Sequence, residues 1–401
     1  VTLRTLEGLG DAAGARVFVR VDFNVPLSGG QITDDSRIMA TLPTVQELLD
    51  RQALPVLASH LGRPRGQTRD DLRLAPVADR LARLLPGVGV VALGHPGDPE
   101  TIGGVGNLRP GEVALLENLR FDPGEEANDI AFAGQLANLA DAYVDDAFGA
   151  AHRAHASVSA LPELMIASGR PAVAGRLLQK EVEVLGQLLH GAERPYCAIL
   201  GGAKVSDKLG VIGALVDRVD SLLVGGAMAF TLLLAQRASV GASMIEADRV
   251  LEVTQVLQEA AERGVRVILP SDVVAAPEVS DSAPARVVPA HDIPGGLMGL
   301  DIGPATVESF ASVISDARTI LWNGPMGVFE LEPFSAGTRG VADAVARSEA
   351  FSVVGGGDSL AAVRQAGLEA SFDHLSTGGG ASLEFLEGKA LPGIEILEDP
   401  N

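Results

Sequence analysis

The chain has 401 residues, of which 47% are hydrophobic, 21% charged and 4% aromatic, and its formal net charge is −21. That length exceeds one ordinary core and predicts two domains, and the apolar content excludes a disordered chain. The acidic balance excludes general nucleic-acid binding, which needs clustered Lys and Arg, and disfavours an anionic membrane surface.

A single cysteine, Cys197, excludes an intrachain disulfide; within the apolar run Tyr196–Leu200 it reads as a buried thiol rather than a nucleophile. No apolar stretch is long enough to span a bilayer, the N-terminal residues show no signal or transit pattern, and the cytoplasm is the expected location.

In chain order, short β-branched or apolar runs alternate with loops and helical stretches. The first half offers runs at 16–25, 54–59, 89–93, 113–117 and 142–145. The second half offers Tyr196–Leu200, Ser221–Val224, 265–269, 319–322 and 351–354, with a last short run near Leu375. Continuous apolar runs between helical patterns indicate parallel strands buried on both faces. Two such sets predict an α/β chain of two doubly wound, Rossmann-like parallel-sheet domains with a hinged cleft between them. A single (β/α)₈ barrel is the competing fold, disfavoured by the number of runs and by a connector without a strand of its own.

That connector is 171–190, where Leu178, Val182, Leu185 and Leu189 place one apolar stripe on a helix and Lys180, Glu181 and Glu183 are expected to turn outward. The expected domains are 1–170, the connecting helix 171–190, and 191–384.

In open α/β sheets, ligands sit at the carboxyl ends of strands, so the loops there carry the chemistry. First-half loops read Asp22-Phe23-Asn24, Asp35-Ser36-Arg37, Ser59-His60-Leu61-Gly62-Arg63, Glu117-Asn118-Leu119-Arg120 and His152-Arg153-Ala154-His155. Arginines recurring at successive strand ends suit a small ligand carrying phosphate and carboxylate, because the guanidinium fork donates two parallel hydrogen bonds. Any one of them alone would read as a surface residue or an ion-pair partner. The histidines lack the partners and spacing of a zinc site.

Second-half loops are glycine pairs and triplets: Gly201-Gly202-Ala203-Lys204, Gly225-Gly226-Ala227-Met228, Gly355-Gly356-Gly357-Asp358-Ser359 and Gly378-Gly379-Gly380-Ala381-Ser382. Glycine lets backbone approach a ligand, and the helix that follows offers free N–H groups to phosphate. Neither G-x-x-x-x-G-K-[ST] nor an early G-x-G-x-x-G is present. Lys204 and Lys208 lie four residues apart, on one face of a helical turn. Asp358 suits Mg²⁺ or a helix N-cap. Glu330, after Trp322-Asn323-Gly324-Pro325, suits ribose hydroxyls or a capping role.

Together these segments resemble the phosphoglycerate kinase family from about Arg16 to Lys389, on 20–26, 59–64, 152–157, 201–208, 322–330, 355–359 and 378–382. The resemblance implies reversible phosphoryl transfer between 1,3-bisphosphoglycerate and ADP, giving 3-phosphoglycerate and ATP, with Mg²⁺ on the nucleotide. It implies glycerate binding by Asp22, Asn24, Arg37, His60, Arg63, Arg120 and Arg153. It implies nucleotide binding by Gly202, Ala203, Lys204, Lys208, Gly225, Gly226, Asn323, Pro325, Glu330, Gly357, Asp358 and Ser359, with Asp358 at the metal. Ser359 stands where many relatives have Thr, and keeps the hydroxyl. The resemblance also implies that the tail 385–401 returns to the first domain.

Transfer to an already ionised carboxylate needs no general base, so charge stabilisation is expected from Arg37, Lys204 and the helix starts at Gly357 and Gly380. Hinge closure is expected to precede chemistry. Small-molecule partners and a monomer are expected. A nicotinamide-dependent dehydrogenase and a two-lobed anion-binding protein are the alternatives. The first calls for the missing G-x-G-x-x-G, and the second needs neither Lys204 nor Asp358.

Overall fold

The computed structural model describes residues 2–399. The chain forms two compact units: one runs to Glu183 and resumes at Ala390, and the other is Val184–Lys389.

In the first unit the strands are β1 (Arg16–Val21), β2 (Leu54–Ala58), β3 (Gly89–Ala92), β4 (Glu112–Leu115), β5 (Ala142–Asp146) and β6 (Ala172–Ala174). They make one six-stranded sheet in the order β3-β4-β2-β1-β5-β6, and every neighbouring pair is parallel. The central strands are apolar on both faces because helices cover both: Val17, Phe18, Val19, Val56, Leu57 and Val144 are fully buried. Helix Ser36–Asp50 buries Ile38, Thr41, Val45 and Leu48, a three-to-four-residue spacing that lays one stripe on the sheet.

The second unit repeats the principle with β7 (Tyr196–Leu200), β8 (Ser221–Val224), β9 (Arg266–Ile268), β10 (Thr319–Asn323), β11 (Phe351–Gly355) and β12 (His374–Leu375). Their order is β9-β8-β7-β10-β11-β12, again all parallel. Chain order reverses between β7 and β10, which opens a crevice at their carboxyl ends. Trp322 and Phe310 lie wholly inside its core. Cys197 is a buried free thiol, and burial pushes it up to about 12, so it is inert as a nucleophile. Two separate six-stranded sheets exclude the single barrel.

Four expectations need correction. The connector does contain a strand: Ala172–Ala174 pairs with β5, and the helix itself is Arg176–His190. Glu181 is fully buried rather than turned outward. Residues 385–389 belong to the second unit, where helix Gly380–Leu386 buries Phe385 and Leu386; only the tail from Ala390 joins the first. There the Gly393 N–H bonds the Ala151 carbonyl at 2.9 Å, and Leu3 bridges Glu398. Finally, the second unit has a three-stranded antiparallel sheet, Arg286–Pro289, Asp272–Ala276 and Met298–Ile302, that the sequence reading lacks. Turn formers at 280–284 and 294–296 break that stretch into pieces too short to read as strands.

The Arg176–His190 helix is anchored at its start by a buried carboxyl. Asp146, ending β5, accepts the N–H groups of Leu177 at 2.9 Å and Leu178 at 3.4 Å. Burial pushes Asp146 up to about 7 and its neighbour Asp145 up to about 6.

Candidate active site

In the first unit the site begins with an anomaly in β1: Arg20 is fully buried among the apolar residues that follow the half-exposed Arg16. A buried charge needs partners. Arg20 finds the fully buried Glu125 at 3.9 Å and donates to Ser157 Oγ at 2.7 Å. Ser157 donates in turn to Glu125 at 2.6 Å, and its carbonyl accepts the Tyr143 hydroxyl at 2.9 Å.

Above this network sits His60, 6% exposed, with Nδ1 at 3.1 Å from Arg20 Nη2. Arginine can only donate, so Nδ1 accepts and Nε2 carries the proton. Burial, then the charges of Arg20, Arg120, Arg37 and His155, holds His60 well below its ordinary value. It is therefore a neutral donor at physiological pH. His155 is pushed down to about 4 by burial, then by Arg120, Arg20 and Arg153. Arg120 falls to about 10, through burial and Arg20, and stays charged at neutral pH.

These shifts locate Arg20, Arg37, Arg120 and Arg153 around one spot. The backbone is laced to it. Asn24 Oδ1 accepts the Gly62 N–H at 2.9 Å, and Arg120 Nη1 donates to the Gly62 carbonyl at 2.8 Å. Arg37 is held at 2.6 Å by Asp22, which is 6% exposed, so Asp22 orients the guanidinium. Arg63, next after Gly62, is exposed, and Arg153 bonds His152 at 2.9 Å. Thus Asp22, Asn24, Arg37, His60, Arg120 and Arg153 cluster at the carboxyl ends of the sheet, with Arg63 at the loop's outer end. Sequence reasoning gave no role to Arg20 or Ser157, although both lie in segments it singled out, and passed over Glu125. An arginine inside the run Arg16–Val21 was the available signal.

In the second unit the glycine loops meet at the β7/β10 crevice. The Gly202 N–H bonds the Pro325 carbonyl at 3.0 Å, and the Gly226 N–H bonds the Met326 carbonyl at 2.9 Å. Gly226 has φ +66°, and a Cβ there would strike the Gly202 backbone. A side chain at Gly201 would overlap the Pro325 carbonyl. Only bare backbone permits this closeness.

The loops edge a cavity of about 310 Å³. Of the expected nucleotide residues, Gly202, Ala203, Gly226, Pro325, Glu330 and Asp358 line it. Its apolar wall comes from Met244, Val279, Met298, Leu300 and Val328, of which only Val328 lies in a segment the sequence singled out; several belong to the antiparallel sheet or its loops. Larger clefts elsewhere, beside Arg80 and beside Arg318, lie away from these loops.

Lys204 is exposed; Lys208 is partly buried and bonds the Asn323 side-chain oxygen. Burial lowers Lys208, while Asp207 and Asp358 oppose that, which places the Asp358 charge near it. Gly357 starts helix Gly357–Gln365, whose N-cap is Gly356 at φ +91°; Asp358 is in the first turn rather than at the cap. Ser359 is fully buried and its hydroxyl accepts the Gly324 N–H at 2.6 Å, so its side chain supports the Trp322–Glu330 turn from within. Gly380 opens a second helix after Gly379 at φ +55°. Gly225 is buried. Asp301, pushed up to about 7 by burial, accepts the Gly337 N–H at 2.6 Å and braces the Glu330-bearing turn from below.

Among the described residues no group of three or more His, Cys, Asp or Glu could form a protein-only metal site. The exposed carboxylate of Asp358, which lines the cavity as Glu330 does, fits Mg²⁺, which takes few protein ligands and fills the rest with phosphate and water.

An arginine cup at one sheet's carboxyl edge, and at another's a glycine-lined cavity with Lys204 and Lys208 following Gly202 and Ala203 of its lining, define an α/β phosphotransferase. The family description Phosphoglycerate kinase matches residues 7–389. The phosphoglycerate kinase of Moorella thermoacetica is 52% identical over 399 residues, covering 100% of this chain and 99% of the relative. That of Thermomicrobium roseum is 53% identical over 395 residues, covering 98% and 99%. The solved structure of phosphoglycerate kinase from Coxiella burnetii aligns with TM-score 0.87 at 41% identity, over 98% of each chain. The chain belongs to the phosphoglycerate kinase family.

Proposed function

We propose that the chain transfers a phosphoryl group reversibly between 1,3-bisphosphoglycerate and ADP, the ATP-forming direction being the glycolytic one, with the residues divided between its two units. Asp22, Asn24, Arg37, His60, Arg63, Arg120 and Arg153 take the glycerate ligand. The neutral His60 donates to a ligand oxygen, and Arg37, aimed by Asp22, meets developing charge. The observation that carries the reading is the 310 Å³ cavity at the β7/β10 crevice. Its apolar wall suits a purine, its glycine backbone suits phosphates, and Glu330 on its rim suits ribose.

In the reverse direction the attacking carboxylate is already ionised, so no general base is required. The protein's work is alignment and charge stabilisation. Lys204, Lys208, and the N–H groups at Gly357 and Gly380 supply it, with Gly225, Asn323 and Ser359 holding the loops in shape. Asp358 would hold Mg²⁺, which neutralises charge on the nucleotide's phosphates.

The chain incubated with 3-phosphoglycerate, ATP and Mg²⁺, its acyl phosphate drawn off by an NADH-dependent reductase, should oxidise NADH only when all three are present. No oxidation would contradict the reading. Compaction on binding both substrates, read by small-angle scattering, tests domain closure.

We further place it in the cytoplasm as a monomer. In support, no helix among the described residues is long and apolar enough to cross a membrane. Exposed large apolar residues such as Met39, Ile102, Ile130, Leu251 and Val287 fall on separate elements. Sedimentation at twice the chain mass would overturn the monomer.

A further inference from the structure

Between Leu200, where β7 ends, and Leu209, where the next helix starts, the segment bearing Lys204 and Lys208 has no regular helix or strand. It opens with Gly201-Gly202, so its own backbone offers little stiffness. Lys208 is held by its bond to Asn323, and something else outside the segment must hold the stretch around Lys204.

That something is Glu246, on the loop 241–246. Its Oε2 accepts the Ser206 N–H at 3.0 Å and its Oε1 accepts the Ser206 hydroxyl at 2.6 Å, so both oxygens clasp one residue. Ser206 lies midway between Lys204 and Lys208. Glu246 is itself tethered: its N–H donates at 3.1 Å to Oγ1 of Thr231, which is 1% exposed in helix Met228–Ala235, the helix after the Gly225-Gly226 turn. The clasp thus ties the lysine-bearing segment to the scaffold of a neighbouring glycine loop. Burial alone would raise the Glu246 carboxyl, yet the bonds from Ser206 outweigh it and hold the group below the usual range, with Val205 and Lys204 adding to them. Glu246 is therefore an ionised acceptor.

We propose that Glu246 is a positioning residue for phosphoryl transfer, acting through Ser206 to fix the backbone that aims Lys204. It touches no reacting atom. The inference rests on the role given to Lys204 above. A displacement of about 1 Å in a group that aligns or stabilises the transferring phosphoryl can cost ~10²-fold, so a clasp of this kind shows in turnover more than in substrate affinity.

The test is kcat, and KM for both substrates, in the full-length protein. Glu246→Ala should lower kcat by about ten- to a hundredfold, with KM for 3-phosphoglycerate unchanged. Glu246→Gln should return kcat to within about threefold, because its amide can still accept the Ser206 N–H and share a hydrogen bond with the hydroxyl. Ser206→Ala loses one bond and keeps the backbone one, so it should cost about threefold.

The deciding comparison is made in a Lys204→Ala background, where Glu246→Ala should cause no further loss. An equal loss in both backgrounds would overturn the positioning role, as would Gln behaving like Ala. Should Glu246→Ala fail to fold, Ser206→Ala measured with and without Lys204→Ala decides by the same rule. Wild-type kcat in Lys204→Ala alone would instead remove the role of Lys204.

Discussion

The first unit gathers charged side chains at its carboxyl edge and keeps further charges beneath them; the second packs glycine backbone on backbone there, over residues that are mainly apolar, with Asp301 a buried exception. In the first, Arg20 and Glu125 are fully buried and together support His60 and Ser157. In the second, Gly201, Gly202, Gly226 and Gly324 pack loop on loop, and the large side chains beneath are Trp322 and Met326. The difference follows from the ligands each is suited to grip. A small molecule with two anionic ends is fixed by several forks whose angles must be set, which demands a supporting network. A polyphosphate running along helix N-termini needs close approach, which only glycine allows.

If that contrast holds, damage should differ in kind between the units. The largest effect belongs to the second: Lys204→Ala should lower kcat on the order of 10²–10³-fold with an unchanged circular dichroism spectrum, and wild-type turnover would remove Lys204 from the chemistry. Next, in the first unit, Glu125→Gln strands the Arg20 charge, and losing one partner of a buried pair costs ~3–5 kcal/mol. Urea unfolding should show an early transition, and an unshifted midpoint would mean the network is not structural.

A smaller effect should appear as pH dependence. Folded Asp146 keeps its proton up to about pH 7, against 3.8 ordinarily. Its contribution to stability is full below about pH 4 and is lost as pH rises towards 7. Relative to Asp146→Asn, the parent should lose stability over that window in thermal melts, and parallel curves would contradict the assignment.

All but one strand of the two six-stranded sheets were legible in the sequence because central strands buried on two faces write themselves as apolar runs; Tyr196–Leu200 and Ser221–Val224 were read to the residue, while the three-residue Ala172–Ala174 was too short to register. The glycine loops were legible because only one residue type can do their job. Arg20–Glu125–Ser157 was not, since its parts lie 105 and 137 positions from Arg20 and nothing local couples them. Nor was the apolar wall of the cavity: Met244, Val279 and Met298 come from short, half-exposed pieces whose pattern resembles loop. Glu181 misled because a carboxylate on a helix normally faces water.

Titration calorimetry on two variants of the full-length protein tests the division of labour most directly. Arg63→Ala should weaken 3-phosphoglycerate binding about tenfold while leaving Mg·ADP binding as in the parent. Gly226→Val, which forces a side chain into the Gly202 backbone, should do the opposite. Each variant losing the other's ligand would contradict the account.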